Sequence, residues 1–194
     1  MIKTISSIAL AGLIAASISG CGGAAPAAQE ETLDERCRAG GALAPQWVCD
    51  ESIEGAEYAA VGIGTSRNES MRKKQATTRA RASLAHQIET KVKSKVEDFM
   101  RSTGNDDAET MDAVSMSVTK QTAKVTLSGS RKVKQFSSNG KLYVLVAVSS
   151  AAEKEINKKA KETVKSSFKS DEAMYQQFVS KQAMDSLDKE FPTD

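Results

Sequence analysis

The apolar pattern is most regular in the middle of the chain, between residues 69 and 100. Apolar side chains recur there every four residues and finally after three, at Ala76, Ala80, Leu84, Ile88, Val92, Val96 and Phe99. Steps of four drift slowly around a helix with about 3.6 residues per turn, and the final step of three corrects the drift. The pattern therefore predicts one long helix, with capping candidates from Ser66 to Asn68. Because its small residues come first, the start of the helix can lie close to a sheet.

Three segments have the composition of β-strands. The first is Tyr58–Thr65, and the other two are Val125–Phe136 and Lys141–Ser149. The last two are joined by a segment that contains Asn139-Gly140, a pair that favours the positive φ angles of a tight hairpin. The final strand is apolar almost throughout, which is typical of a central strand covered on both faces.

Gly62 and Gly64 lie near the end of the first predicted strand. The third glycine of a GxGxxG loop and the GK[ST] of a phosphate loop are both missing, so a nucleotide site is not expected. We interpret the two glycines as places where a neighbouring helix or backbone approaches the strand closely.

Two further segments complete the predicted elements. Residues 151–191 are helical by composition and step by four along one face, and Pro192 ends the pattern. Residues 108–124 allow two interpretations, because their apolar spacing suits a short helix whereas their β-branched content favours a strand.

The predicted fold class is α+β. We expect a two-layer domain over residues 33–150, in which the long helix covers a small antiparallel sheet. Residues 151–194 would form a helical C-terminal extension that packs alongside this domain or reaches a neighbour.

The N-terminus has the pattern of a secretory signal, with one charge at Lys3, a short apolar run and small residues before Cys21. The run is too short to span a bilayer as a permanent helix. The sequence Ile18-Ser19-Gly20-Cys21 resembles a bacterial lipobox, in which the cysteine receives a diacylglycerol and the chain is cut just before it. The alternative is a plain signal peptide followed by a chance cysteine.

A lipobox would make residues 1–20 the signal and Cys21 an acylated, palmitate-carrying first residue with stable membrane anchoring. Residues 21–32 are small and then acidic, so we expect a flexible tether. Gly22 follows the cysteine, whereas an Asp at that position is associated with retention in the inner membrane. The prediction is therefore a lipid anchor in the outer membrane.

Cys37 and Cys49 form an even pair once Cys21 carries lipid. In an oxidising compartment such a pair favours a disulfide, with metal binding or free thiols as the alternatives. A chain with one histidine and no CxxC motif is a poor zinc ligand, so no metal is expected. Trp47 is predicted to pack over the disulfide, and a ligand-binding role is the alternative.

The charge and composition of the chain indicate which classes of partner it can bind. Loss of Lys3 with the signal leaves 26 basic and 25 acidic residues, a net charge of +1. A nucleic-acid-binding domain is usually strongly basic, and an aromatic content of 5% offers few stacking platforms. We therefore expect no nucleic-acid partner.

The residue inventory does not favour an enzyme. His86 is the only histidine, and we interpret it as a helix-surface or boundary residue. No nucleophile elbow or HExxH helix is present. We predict no enzymatic activity and no cofactor.

The order of several short motifs resembles the LPP20 lipoprotein family over about residues 45–150. These motifs are Pro45-x-Trp47, Ala60-Val61-Gly62-Ile63-Gly64, Ala76-x-x-x-Ala80-Arg81-x-x-Leu84-Ala85, Leu127-Ser128-Gly129-Ser130 and Gly140-Lys141-Leu142-Tyr143-Val144-Leu145-Val146. The chain departs from the family at Phe136, where relatives commonly carry Trp, and in its cysteine pair. The resemblance implies a small α/β domain on an outer-membrane lipoprotein without enzymatic activity. Some relatives build discs or rings around the flagellar motor, and others are known mainly as surface antigens.

These observations favour a structural or assembly lipoprotein of the envelope, with a motility-associated disc or ring component as the specific form. The alternative is a periplasmic or surface module that binds a small ligand or an envelope polymer. Charge is segregated along the chain: residues 21–57 carry −6, 67–101 carry +6, 128–170 carry +7 and 171–194 carry −4. We therefore predict a homo-oligomer or an envelope-protein complex. Its predicted contact residues are Tyr175, Phe178 and Val179. The alternative is that the charged blocks neutralise each other within one molecule.

Overall fold

The computed structural model describes residues 32–104, 107–169, 175–176, 178 and 180–193. Their elements are β1 (Leu33–Ala39), β2 (Ala42–Pro45), α1 (Gln46–Asp50), β3 (Ala59–Gly64), α2 (Glu69–Ser102), α3 (Ala108–Gly129), β4 (Ser130–Ser138), β5 (Lys141–Val148), α4 (Ser150–Lys169) and α5 (Lys181–Glu190). Helices combined with two small antiparallel sheets confirm the α+β class. Within these ranges, no helix is long and apolar enough to cross a membrane. The predicted signal, Cys21 and the tether up to residue 31 lie outside the described residues.

The larger sheet has three antiparallel strands in the order β3-β5-β4. Asn139 and Gly140 form the turn between β4 and β5 with φ angles of 46° and 74°, which confirms the predicted hairpin. Side chains of β5 alternate between two buried clusters, with Leu142, Val144, Val146 and Val148 in one and Tyr143, Leu145 and Ala147 in the other. The predicted central strand covered on both faces is thus confirmed.

The long helix α2 covers one face of this sheet. Asn68 caps its start, where the side-chain oxygen accepts a hydrogen bond from the backbone N–H of Met71 at 3.0 Å. Every apolar position predicted from the sequence is buried in α2. The pattern therefore identified both the helix and its inward face.

Gly62 and Gly64 allow α2 to approach β3 closely. A Cβ at Gly62 would lie 2.1 Å from the carbonyl oxygen of Ala76 and 2.3 Å from the nitrogen of Ala80. A Cβ at Gly64 would lie 2.1 Å from the carbonyl oxygen of Arg72. Side-chain atoms do not fit at such distances, so the interpretation of these glycines is confirmed.

The other face of the sheet is covered by the N-terminal segment, which the sequence pattern did not assign to strands. The β1–β2 hairpin and α1 bury the side chains of Cys37, Ala39, Ala44 and Trp47 against β3 and β5. The β1–β2 register shifts between Asp34 and Arg38, so regular alternation is lost there. This layer adds a second cover to the sheet, opposite α2.

Residues 108–124 are helical, which settles the choice that the sequence left open. The helix α3 continues to Gly129, so the strand predicted from Val125 is wrong in its first five residues. The Thr122 hydroxyl donates to the carbonyl of Val118 at 3.0 Å, and the Thr126 hydroxyl donates to that of Thr122 at 3.1 Å. Threonine is tolerated here because its hydroxyl finds a partner within the helix.

The C-terminal helices contribute to the same core as the sheet. The rings of Phe99, Phe168 and Phe178 lie together, with centroid separations of 5.1–6.2 Å. Phe191 is fully buried, and the Asn157 amide donates to the carbonyl of Pro192 at 2.9 Å. The described part of residues 150–193 therefore packs against the rest of the domain, with α4 mainly against α3 and α5 against α2.

Candidate functional site

The predicted cysteine pair is present as a disulfide. Cys37 and Cys49 are bonded, with Cα atoms 5.8 Å apart. Trp47 is 6% exposed and belongs to the same buried cluster as Cys37. The bond thus ties β1 to the end of α1 over the second face of the sheet, which confirms the predicted disulfide and places Trp47 beside it.

Of the residues predicted for self-association, the two that the structure describes, Tyr175 and Phe178, do not form a surface patch. Phe178 is buried, with its ring centroid 5.1 Å from that of Phe168, so it fills the core instead of facing solvent. Tyr175 is half-buried against the same cluster, and Val179 lies outside the described residues. Phe178 therefore points into the core, and its predicted role in self-association is corrected. Self-association itself stays a prediction.

His86 lies exposed on α2, as expected for a helix-surface residue. Among the described residues, no three His, Cys, Asp or Glu side chains converge as a metal site would require.

A groove of about 550 Å³ lies where the end of β3 meets the first turns of α2. Its walls are formed by Thr65, Ser66, Met71, Lys74, Gln75, Thr78 and Arg79. Arg79 donates to the carbonyl of Ile63 at 2.8 Å, and Gln75 accepts from the N–H of Thr65 at 2.8 Å. Side chains of α2 therefore form hydrogen bonds with backbone groups at the end of β3 and directly after it. The groove could not be predicted from the sequence, because its walls come from a loop and one side of a helix.

Two carboxyl groups meet at the opposite end of β3. Glu57, just before the strand, and Glu153, in the first turn of α4, share a hydrogen bond. Burial, and then the bond to Glu57, raise the pKa of Glu153 to about 7. The bond from Glu153, with further help from Tyr58 and Lys95, lowers the pKa of Glu57. The pair can therefore hold one proton between two acids near neutral pH.

Lys95 interacts both with this acid pair and with Phe191 near the end of the described chain. Its ammonium group attracts Glu57 and Glu153, and it also lies 5.8 Å from the ring centroid of Phe191. Burial raises the pKa of Tyr58, which neighbours the pair, above its usual value. The sequence did not identify this cluster, since its members are far apart along the chain.

Some of the segregated charge is neutralised within the chain. Lys161 and Asp188 join the basic segment 128–170 to the acidic segment 171–194 through an ion pair of 2.9 Å. Lys93 and Asp112 join α2 to α3 at 3.1 Å.

The sequence model of the LPP20 lipoprotein family matches residues 45–149. The chain belongs to the LPP20 lipoprotein family. An LPP20 lipoprotein is an envelope protein anchored to a membrane. No curated protein and no solved structure matches the chain significantly.

The LPP20 segment corresponds to a definite part of the fold. It contains α1, the three-stranded sheet, α2 and α3, whereas β1, α4 and α5 lie outside it. Two contacts link this segment to residues that lie outside it. The disulfide joins Cys49 of the segment to Cys37, and Glu57 of the segment shares a hydrogen bond with Glu153. This chain therefore attaches its N- and C-terminal elements to the family segment by specific side chains.

Proposed function

We propose that this LPP20 lipoprotein is anchored in the outer membrane through Cys21 and has a structural or assembly role in the envelope, without enzymatic activity. The family match carries the proposal, because it covers the whole three-stranded sheet with α2 and α3. The lipobox-like sequence before Cys21 supports the anchor.

The anchor is tested by the substitution Cys21→Ser, expressed in the source bacterium or a related host. We expect the wild type to incorporate labelled palmitate and to fractionate with the outer membrane, and the variant to remain an unlabelled precursor. Cys37→Ser is the matched control, since it removes a different cysteine and should leave labelling intact. Equal labelling of the Cys21→Ser variant would refute the anchor.

The assembly role is a proposal of self-association between copies of this chain. With Phe178 in the core, the affinity needs another apolar surface, and α3 offers one. Met116 and Leu127 are 73% and 56% exposed. Eleven residues make about three helical turns, so these two side chains lie on one side of α3. Segregated charge would then set the register between neighbours.

Light scattering on the chain from residue 21 onward, with Cys21→Ser, tests this surface. We expect an oligomer that becomes a monomer when Met116 and Leu127 are both replaced by Asp. Met71→Asp is the control, because Met71 is 56% exposed on a different helix. A monomeric wild type, or an oligomer unaffected by the α3 substitutions, would contradict the proposed surface. Assembly unchanged up to about 1 M salt, where the Debye length is about 3 Å, would exclude an electrostatic part.

The specific form of this role is a disc or ring component associated with motility, which the family resemblance suggests. A deletion strain should lose motility and the disc around its flagellar motor in electron cryotomography. Intact discs and normal swimming in that strain would leave only the general envelope role.

The groove beside β3 favours a second function, the binding of a small ligand or an envelope polymer. Its volume of about 550 Å³ falls in the usual range for ligand sites, and Met71 provides an exposed apolar wall. Titration with envelope polymer fragments, followed by the methyl NMR signal of Met71, tests it. Shifts that saturate support binding; unchanged signals with every fragment would exclude this function.

A further inference from the structure

The helix α4 carries a row of lysines along one side. Its members are Lys154, Lys158, Lys161, Lys165 and Lys169. At 100° per residue, the spacings of four, three, four and four place them within a sector of about 80°. The other four charged residues of this helix, Glu153, Glu155, Lys159 and Glu162, lie outside that sector. We call these five residues the lysine row.

Most of the lysine row has no acidic partner in the part of the chain that the structure describes. Lys161 pairs with Asp188 of α5 at 2.9 Å. The other four have no ion pair with any described residue, although Glu155 and Glu162 lie on the same helix. Lys154, Lys158 and Lys169 are exposed, and Lys165 is partly exposed. The row therefore presents unneutralised positive charge to its surroundings.

This arrangement weakens the helix that carries it. Like charges three or four residues apart destabilise a helix, and the lysine row contains such a pair at every step. The opposite side of α4 compensates through Ile156, Val164 and Phe168, which are buried in the core. A rigid row of charge is thus held at the surface over about 22 Å, the rise of fifteen helical residues.

We propose that the lysine row docks on the anionic phospholipid headgroups of a membrane and holds the domain against the bilayer surface. Phosphate groups suit lysine, whose ammonium is a compact charge with three donors. The four lysines without an ion pair lie on one side of a single helix, as docking on a flat array of headgroups requires. The location rests on the proposed lipid anchor: Cys21 precedes Thr32 by eleven residues, which span at most about 40 Å when fully extended. The row would then meet headgroups at a high local concentration.

The test measures binding of the unlipidated chain to vesicles, so its outcome does not depend on the anchor. Residues 32–194 form a compact unit of their own, and the chain from residue 21 onward with Cys21→Ser retains all of it. We expect it to cosediment with vesicles of phosphatidylcholine and phosphatidylglycerol in equal amounts, but not with phosphatidylcholine alone. Each lysine near an anionic surface strengthens binding by about fivefold, and the attraction is lost at about 1 M salt.

The lysine row is identified by two variants with the same change in charge. The first replaces Lys154, Lys158, Lys165 and Lys169 by Gln, and the second replaces the exposed Lys120, Lys124, Lys132 and Lys141 by Gln. The first should weaken binding by more than about tenfold, and the second by much less. Circular dichroism checks folding, which the first variant should retain because it relieves repulsion along α4. Equal weakening by both variants, or no binding of the wild type to anionic vesicles, would overturn the proposal.

Discussion

At the scale of single residues, two glycines permit close packing against different kinds of neighbour. Gly62 faces the backbone of α2, whereas a Cβ at Gly129 would meet the Cβ of Ala152 at 2.2 Å and little else. Overpacking typically lowers the free energy of unfolding by about 1–3 kcal/mol. We expect Gly129→Ala to fall in this range. Gly62→Ala should lower the free energy of unfolding by about 3 kcal/mol or more. The atoms in its way belong to the backbone of α2, so the whole helix would have to move. Urea unfolding measures both changes.

A second substitution separates these two cases. Ala152→Gly removes the atom that Gly129→Ala would strike, so the double variant should be more stable than the sum of the two single changes predicts. Ala80→Gly should not rescue Gly62→Ala, since the atoms nearest to that new Cβ are backbone atoms of Ala76 and Ala80. Rescue of both variants, or of neither, would contradict this explanation.

At the scale of elements, the disulfide layer has the largest effect on how the sheet is covered. Without it, the side chains of Tyr143 and Leu145 would lose most of their cover on the second face. Replacing Cys37 and Cys49 by Ala opens a short loop, for which we expect a loss of about 2–3 kcal/mol in the free energy of unfolding. Trp47, the only tryptophan, reports the transition by fluorescence.

Reduction provides the control for this prediction. A reducing agent should shift the unfolding midpoint of the wild type towards that of the double variant and leave the double variant unchanged. A midpoint that is the same with and without the two cysteines would show that the layer is held by packing alone.

The elements also show where sequence reasoning succeeded. The long helix α2 was predictable because a single apolar face repeats over many turns, and β5 because both of its faces are apolar. The strands β1 and β2 were not predictable, because they are short and their register shifts. The end of α3 was misplaced, since its threonines satisfy their hydroxyls within the helix and composition does not reveal this.

At the scale of the whole molecule, the C-terminal segment completes the core of the LPP20 domain. Phe191 is fully buried at the far end of the chain. Phe191→Ala should lower the free energy of unfolding by about 3–5 kcal/mol, as for other buried phenylalanines. Met116→Ala is the control, because its 73% exposed side chain should contribute less than about 0.5 kcal/mol. Thermal and urea unfolding check both values, and similar small effects would mean that the C-terminal segment is separable from the core.

The candidate sites differ in how far the sequence predicts them. The disulfide follows from counting cysteines in an exported chain. The pair of Glu57 and Glu153 does not follow from any local pattern, because only the fold brings the start of β3 to the first turn of α4. The burial of Phe178 could not be predicted either. The sequence placed Phe178 on an apolar face but did not show that its side chain points into the core.

The acid pair makes the stability of the whole domain depend on pH. Both carboxyl groups have a usual pKa of 4.5, and that of Glu153 rises to about 7 in the folded chain. Between these values the folded chain holds more protons than the unfolded chain, so this group's contribution to stability falls as the pH rises. The lowered pKa of Glu57 acts in the opposite sense, and its contribution is lost as the pH falls below 4.5. The pair therefore favours the folded state most strongly in mildly acidic solution.

Thermal unfolding of Glu153→Gln tests this pH dependence. A glutamine amide still donates a hydrogen bond to Glu57 but does not ionise, so the variant should match the wild type at about pH 5 and exceed its Tm at about pH 8. Glu155→Gln, on the same helix, is the control, and its Tm should fall between these pH values as much as that of the wild type. Lys95→Met should steepen that decline, because Lys95 attracts both carboxylates once they are charged. A wild-type Tm that does not fall from pH 5 to pH 8 relative to Glu153→Gln would show that the two acids ionise independently.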